Sequence, residues 1–218
     1  MSYLTNNFGR VLDLSLTHVW LSLIPIVLGF LIALPIGWYA SRHRRLRGIL
    51  LSLGSVLYTI PSVALFVLLP VVIGTNYLDP INVVIALTMY AVAIMVRSAT
   101  DAFSSVSLAV LDAATANGFA ATGRALRVEL PLAGPVLLAG LRVVAVSTVS
   151  LVSVGALTGV SNLGSLFTDG FQRGYNSEIF TGMLLIVIIA VLLDGLLVVA
   201  GRLLMPWSAI ARPQGTSR

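Results

Sequence analysis

The feature that most constrains how this chain can fold is a series of long apolar segments that carry no formal charge. Asp13 and Arg42 enclose the first of these segments, and Arg47 and Asp79 enclose the second. An α-helix needs about 20 apolar residues to cross the hydrocarbon core of a bilayer, because it rises only about 1.5 Å per residue. Charged residues make up 10% of the chain, whereas soluble domains carry about 25%. The sequence therefore predicts a membrane protein.

Five segments are apolar enough to be membrane spans, which predicts an all-α, polytopic fold. The predicted spans lie near residues 18–40, 49–74, 81–96, 134–159 and 179–201. The fourth contains Arg142, whose long side chain is expected to snorkel to the nearer membrane surface. The fifth contains Asp194, which should face protein or water because an isolated charge in lipid is costly. A partner at a subunit interface and a proton relay are both open as roles for Asp194.

The distribution of arginines predicts the orientation of the chain in the membrane. Four arginines occupy the short loop SRHRRLRG between the first two spans, and short basic loops stay on the cytoplasmic side. Counting spans from this loop places the N-terminus outside and the C-terminus in the cytoplasm. Ten arginines then lie inside (42, 44, 45, 47, 97, 124, 127, 202, 212 and 218) and two lie outside (10 and 173). Topology alone explains the basic loop, and recognition of lipid headgroups is the second interpretation.

Composition also excludes several kinds of chemistry. The chain has neither cysteine nor lysine, so it cannot form thiolate metal sites, a Schiff-base lysine or a complete ATP-binding P-loop. His18 and His43 are too isolated to indicate a metal or catalytic site. The net charge of +5 reflects topology, and no nucleic-acid partner is expected. The N-terminal residues lack the pattern of a cleaved signal peptide and predict a short interfacial helix.

A hydrophilic interlude at residues 98–133 separates the third and fourth spans and should lie in the cytoplasm. Its central sequence predicts a helix over residues 101–117, followed by Gly118 in the left-handed conformation that ends many helices. Thr122 is predicted to cap a second short helix, and Pro131 to end it. Small side chains on this element would allow the backbone of another protein to approach closely. They are Ala113, Ala114, Ala116, Ala120 and Ala121.

The spacing within this interlude resembles the signature of the permease subunits of bacterial ATP-binding-cassette importers. That signature is a Glu-Ala-Ala triplet, three residues, a glycine, nine residues, an aliphatic residue, any residue, and then Leu-Pro. The matching positions are Asp112, Ala113, Ala114, Gly118, Val128, Leu130 and Pro131. The one departure is Asp112 in place of the glutamate, which keeps the charge on a shorter side chain.

The resemblance implies a transport subunit with no enzymatic activity of its own. Residues 1–218 would form one permease domain in the bacterial inner membrane, and the interlude would be the coupling element that fits into a cleft on a separate ATPase. The implied partners are a second permease subunit, identical or paralogous, two cytoplasmic ATPase subunits and an extracytoplasmic substrate-binding protein. ATP and Mg²⁺ would be bound by the ATPase partner, so no cofactor is expected in this chain.

A narrower resemblance extends over residues 17–200. The segments YTIPSVALFVLLPVVIGT, MYAVAIMVRSA and GALTGVSNLGSLFTDGF are similar to permeases for osmoprotectants such as glycine betaine, choline and carnitine. Permeases for methionine, phosphonate and other small solutes share parts of this pattern, so these substrates stay as alternatives. An ion-coupled secondary carrier that depends on Asp194 is the alternative from another class of transporter.

Several residues in and between the spans are candidates for the transport path. Prolines at 25, 35, 61 and 70 interrupt helical hydrogen bonding, which favours either flexible pore-lining helices or ordinary kinks for packing. A gate is predicted near Tyr58, Ile60, Pro61 and Ser62. Ser147 and Ser150 share one helix face, where they can serve helix packing or line a polar path. Phe167, Phe171 and Tyr175 can cage a quaternary amine or lie at the outer membrane interface.

Overall fold

The computed structural model describes residues 2–209, and within this range the chain is helical and forms no strand. Its ten α-helices are α1 (Ser2–Asn6), α2 (Phe8–Arg42), α3 (Arg44–Thr59), α4 (Ser62–Ile73), α5 (Pro80–Ser104), α6 (Leu108–Ala116), α7 (Ala121–Arg124), α8 (Leu130–Val152), α9 (Ser165–Arg173) and α10 (Asn176–Leu204). A π-helical turn, Ala125–Glu129, joins α7 to α8, and 3-10 turns occupy Ser153–Thr158 and Pro206–Ala209. Two of the arginines counted as cytoplasmic, Arg212 and Arg218, lie outside the described residues.

The predicted all-α, polytopic architecture is confirmed. Four helical segments are long and apolar enough to cross a membrane, namely α2, α5, the continuous run Ala121–Thr158, and α10. They correspond to the first, third, fourth and fifth predicted spans. The second predicted span is not a single straight helix, because α3 and α4 meet at an angle of 100°. The number of spans is therefore four, or five if this bent pair crosses the membrane as one.

The break between α3 and α4 falls at Ile60 and Pro61, and we call these two residues the elbow. Proline has no N–H to donate and disfavours helical geometry in the residue before it. Ile60 accordingly adopts an extended conformation, with φ −66° and ψ 127°. Its carbonyl is not left without a partner, because the Tyr90 hydroxyl of α5 donates a hydrogen bond of 2.6 Å to it. Non-helical backbone at membrane depth requires such a partner.

The centre of the molecule is the packing of α2 against α5. Gly29 and Gly37 of α2 face Ala91 and Ala99 of α5, and a Cβ atom on either glycine would collide with the facing alanine. Both alanines are completely buried. Small residues permit this close approach of two backbones, which is the usual basis of helix association in membranes. α2 continues through its two internal prolines as one helix of 35 residues.

The interlude differs from its prediction at both ends. α5 extends to Ser104, so the predicted helix over 101–117 is divided between the end of α5 and the separate α6. Thr122 does not cap a helix, because α7 begins at Ala121 and its N-cap residue is Ala120.

Pro131 does not end a helix either. It lies in the first turn of α8, directly after the π-helical turn, where the missing N–H breaks no α-helical bond. The chain therefore continues from the interlude into the fourth span as one helical run of 38 residues, Ala121–Thr158.

Candidate functional site

α6 is the most exposed helical element of the interlude. Ala114 is its one buried residue, whereas Asp112 and Ala113 are open to the surroundings. Leu108, at the start of the helix, is 76% exposed. A helix that presents an exposed leucine, alanines and a carboxylate, and buries only one side chain in its own subunit, has the character of a docking surface.

Gly118 ends α6 in the predicted left-handed conformation, with φ +82°. Its N–H donates to the carbonyl of Thr115 at 2.9 Å, and the N–H of Phe119 donates to the carbonyl of Ala114 at 3.2 Å. These two bonds form a Schellman motif, which satisfies the last carbonyls of the helix. A Cβ atom at Gly118 would meet no other atom within 4 Å. The glycine is therefore required by backbone conformation and not by packing within this subunit.

The remaining signature residues lie at the root of the interlude, where it enters the membrane-spanning bundle. Val128 belongs to the π-helical turn, and Leu130 and Pro131 begin α8. All three are half-buried. Leu130 also lines an apolar cavity of about 300 Å³ together with Leu34 and Trp38 of α2. The signature thus divides into an exposed tip, on and after α6, and a half-buried root.

Glu129 is a central residue of this root that the sequence analysis did not single out. The residue is 1% exposed, and its carboxylate forms ion pairs with Arg42 and Arg124. The Arg124 Nε lies 3.1 Å from Glu129 Oε1, while Arg124 Nη1 donates a 2.8 Å hydrogen bond to the hydroxyl of Thr115 in α6. The available sequence signal was one acid that follows two arginines in the segment GRALRVEL.

The basic loop between α2 and α3 has two kinds of arginine. Arg42 pairs with Glu129, and Arg47 pairs with Asp101 near the end of α5 at 2.8 Å. Arg44 and Arg45 are exposed and form no ion pair among residues 2–209. Topology alone thus does not account for all four arginines, because two of them join this loop to the two ends of the interlude.

The predicted gate residues lie together at the elbow. Tyr58 and Ile60 are at the end of α3, and Ser62 begins α4. The Tyr58 ring is half-exposed and meets the buried Tyr90 ring edge-on, with centroids 5.8 Å apart. At the elbow, an exposed aromatic ring therefore lies next to the C-terminal end of α3.

The two serines predicted on α8 are in different surroundings. Ser150 is exposed and Ser147 is half-buried, while the intervening Thr148 is buried. Ser150 therefore has the surface position that a path-lining residue needs.

Arg142 and Asp194 form a bidentate ion pair that links α8 to α10. The Arg142 Nε lies 2.6 Å from Asp194 Oδ1, and Arg142 Nη2 lies 2.7 Å from Oδ2. Arg142, expected to snorkel to the nearer membrane surface, pairs with a carboxylate of α10, and both side chains are partly exposed. The snorkelling of Arg142 stays a prediction. Asp194 has its partner in its own subunit, and its carboxylate is engaged by that arginine.

A second ionic cluster lies at the opposite end of α2 from Arg42. Glu178, completely buried at the start of α10, accepts a 2.7 Å hydrogen bond from the Tyr3 hydroxyl and a 3.2 Å bond from Arg10 Nη1. Arg10 also pairs with Asp169 of α9. Burial, followed by the hydrogen bond to Glu178, raises the pKa of Tyr3 above its usual value. This cluster fastens α1 and α2 to the start of α10.

The aromatic residues predicted as a cage or an interface lie on α9 and just after it. Phe167 packs against a buried cluster, and Tyr175 meets the Tyr3 ring edge-on with centroids 5.7 Å apart. Phe171 is 81% exposed. Phe167 and Tyr175 therefore lie beside the buried cluster that contains Tyr3, whereas Phe171 is open to the surroundings.

Comparison with known proteins connects this arrangement to a family. A chain of the MetNI methionine ABC transporter, solved in inward-facing conformations, has the same fold, with a TM-score of 0.72 at 22% identity over 94% of this chain and 98% of that one.

Two relatives are similar over most of their length. The osmoprotectant import permease protein OsmW of Salmonella typhimurium is 30% identical, over 89% of this chain and 92% of its own. The choline transport system permease protein OpuBB of Bacillus subtilis is 27% identical, over 94% of both chains. Residues 21–208 match the model of the binding-protein-dependent transport system inner membrane component. The chain belongs to this family of inner-membrane permease subunits.

Proposed function

We propose that this subunit, paired with a second permease subunit, forms the path by which a quaternary ammonium osmoprotectant such as glycine betaine, choline or carnitine enters the cell. The names of its relatives support this substrate class, since OsmW is an osmoprotectant permease and OpuBB a choline permease. A quaternary ammonium carries a charge that no deprotonation removes, so it needs a protein path through the hydrocarbon.

The observation that carries the transport mechanism is the continuous helical run from the interlude into the fourth span. α6 would seat in a cleft on one separate ATPase subunit, with Asp112, Ala113 and Gly118 at the contact, and the second permease subunit would dock on a second ATPase subunit. ATP and Mg²⁺ would be held by those subunits. Movement of α6 would reach α8 through the unbroken segment Ala121–Thr158. ATP-driven closure of the ATPase pair would in this way reorient the membrane path, which is a coupling of two sites through a rigid element.

We base the proposed orientation on the distribution of charges. The basic loop and the interlude lie at the same end of the bundle, because Arg42 contacts Glu129 and Arg47 contacts Asp101. We place this end in the cytoplasm, in accord with the positive-inside rule. The N-terminus and α9 then face outward, where an extracytoplasmic binding protein would deliver the solute.

The path would include the elbow and one face of α8. The C-terminal end of α3 carries carbonyls without intrahelical partners and the negative end of the helix dipole, both of which attract a cation. The exposed face of Tyr58 can add a cation–π contact. Ser150 would offer weak polar contacts along α8. Such contacts suit a path, since a tight site would delay release.

Uptake in matched wild-type and gene-disrupted cells tests the substrate. We expect disruption to reduce uptake of radiolabelled glycine betaine, choline or carnitine, most clearly in a medium of high osmolarity. Methionine and a phosphonate serve as competitors and as alternative labelled substrates. Unchanged quaternary-amine uptake with reduced uptake of one of these alternatives would overturn the substrate and leave the permease function intact.

ATP dependence separates the importer from an ion-coupled carrier. A variant of the cognate ATPase that binds ATP but cannot hydrolyse it should abolish uptake. The bidentate engagement of Asp194 by Arg142 counts against a proton relay at that carboxylate. Uptake that persisted with the inactive ATPase and followed the proton gradient would favour the carrier.

A further inference from the structure

The root of the interlude contains a contact network that reaches a second span, in addition to the continuous run into α8. Glu129 is its centre, at the position that the permease signature leaves open to any residue. The carboxylate is nearly inaccessible and receives one arginine from α2 and one from α7. A buried carboxylate is costly unless its charge is paired, and the two arginines supply this pairing.

One branch of this network reaches the exposed docking helix. Arg124 binds Glu129 with its Nε and the Thr115 hydroxyl with its Nη1, at 3.1 and 2.8 Å. Thr115 is one residue after Ala114, the single buried side chain of α6. Beside backbone continuity and the packing of Leu111 on the core, the Arg124 side chain therefore provides a polar connection between α6 and the root.

The other branch reaches the end of α2. Arg42 pairs with the second carboxylate oxygen of Glu129, donates a 2.7 Å hydrogen bond to the carbonyl of Trp38, and lies with its guanidinium carbon 3.8 Å from the centroid of the Trp38 ring. Three contacts thus fix this guanidinium in one place. Since α2 packs along α5, a displacement of Arg42 would be felt by the central helix pair of the subunit.

We propose that Glu129 is a positioning residue that fastens the docking helix to α2, so that movement of α6 drives α2 and α8 together. The proposal rests on the function proposed above, in which α6 docks on an ATPase. The network formed by Thr115, Arg124, Glu129, Arg42 and Trp38 is here called the clamp. Without the Glu129 charge, the two arginines would repel each other, and α6 would move without α2.

A distance measurement tests the clamp without any transported solute. The chain has no native cysteine, so spin labels can be placed at Ala109→Cys in α6 and Tyr39→Cys in α2. Both positions are exposed. In the complex with its ATPase, we expect a narrow distribution of the distance between the two labels, and the same distribution after ATP is added. In Glu129→Gln, this distribution should be about twofold wider. A Glu129→Gln distribution as narrow as the parent, with or without ATP, would overturn the proposal.

Transport in proteoliposomes supplies a second readout. Glu129→Gln should raise the number of ATP molecules hydrolysed per glycine betaine imported by about tenfold, with the ATPase still bound. Glu178→Gln is the matched control, because it removes the charge of another completely buried glutamate that also joins two elements, at the opposite end of α2. It should lower the yield of folded protein without changing this ratio.

The outcomes of these two experiments are distinct. If wild type and Glu129→Gln hydrolyse the same number of ATP molecules per imported glycine betaine, Glu129 has only a structural role. The same conclusion holds if Glu129→Gln and Glu178→Gln raise this number equally. Wild-type vesicles that hydrolyse ATP without importing glycine betaine would overturn the proposed substrate, and the label distances would still decide the clamp. Failure of the ATPase to bind the wild-type subunit would overturn the proposed function itself.

Discussion

At the scale of single residues, the ion pair between Arg142 and Asp194 has the clearest energetic consequence. Each charge lies in a span and has the other as its bidentate partner. Removing one partner leaves the other charge uncompensated, whereas replacing both with apolar residues can be nearly neutral.

We therefore expect Asp194→Asn and Arg142→Gln each to reduce the folded protein recovered from membranes several-fold. The double variant Arg142→Met with Asp194→Met should recover close to the wild-type amount. Size-exclusion chromatography of the solubilised protein measures this, and Asp13→Asn, which alters an exposed acid, is the control. Equal losses in the single and double variants would show that the two charges act independently.

At Gly118, the need for a left-handed backbone can be tested separately from a contact with another protein. Its φ of +82° is strained for other residues by about 1 kcal/mol or more, yet its surroundings within the subunit are empty. Gly118→Asp should accordingly change the thermal stability of the isolated subunit only slightly. If α6 docks on an ATPase, the same variant should reduce co-purification of that subunit and abolish transport.

The comparison for this position is Gly118→Asn, since asparagine tolerates the left-handed conformation and adds no charge. It should keep more of the bound ATPase than Gly118→Asp. Full ATPase binding and full transport in Gly118→Asp would contradict a close contact at this turn.

At the scale of elements, apolar length was enough to predict the long membrane-spanning helices but not their breaks. The prolines show why, because the same residue has three outcomes here. Pro25 lies within a continuous α2, Pro61 coincides with a bend of 100°, and Pro131 begins α8 after a π-helical turn. Which outcome occurs depends on neighbours distant in sequence, such as Tyr90 at the elbow, and a single chain does not reveal these contacts in advance.

The candidate site was predictable to a similar degree. The signature spacing identified the tip and the root of the interlude, and the left-handed Gly118 is confirmed. Glu129 was missed because its importance comes from Arg42, 87 residues earlier in the chain. The ion pair of Arg142 and Asp194 was missed for the same reason, since the two residues were considered separately.

The elbow gives a prediction at this scale. Tyr90→Phe removes the hydroxyl that satisfies the Ile60 carbonyl and should destabilise the subunit by about 1 kcal/mol, the usual net value of one hydrogen bond. The change should appear as a lower unfolding temperature in detergent. Tyr58→Phe, on the other ring of the aromatic pair, is the control for stability. Equal unfolding temperatures for Tyr90→Phe and wild type would mean that the elbow carbonyl is satisfied without this hydroxyl.

At the scale of the whole molecule, the two ionic clusters define two ends. The clamp at Glu129 and the cluster at Glu178 are joined by α2, whose 35 residues span about 50 Å at about 1.5 Å per residue. That length exceeds the hydrocarbon thickness, so the two clusters must lie near opposite membrane surfaces. By the positive-inside rule, we expect the clamp to lie on the cytoplasmic side.

Single cysteines can test this assignment, because the native chain contains none. Ala121→Cys and Gln172→Cys are both exposed positions, one at the start of α7 and the other near the end of α9. In intact cells, a membrane-impermeant thiol reagent should label Gln172→Cys and leave Ala121→Cys unmodified. After permeabilisation both should react, which controls for access. Labelling of Ala121→Cys from outside would invert the orientation, and α6 could then not meet a cytoplasmic ATPase.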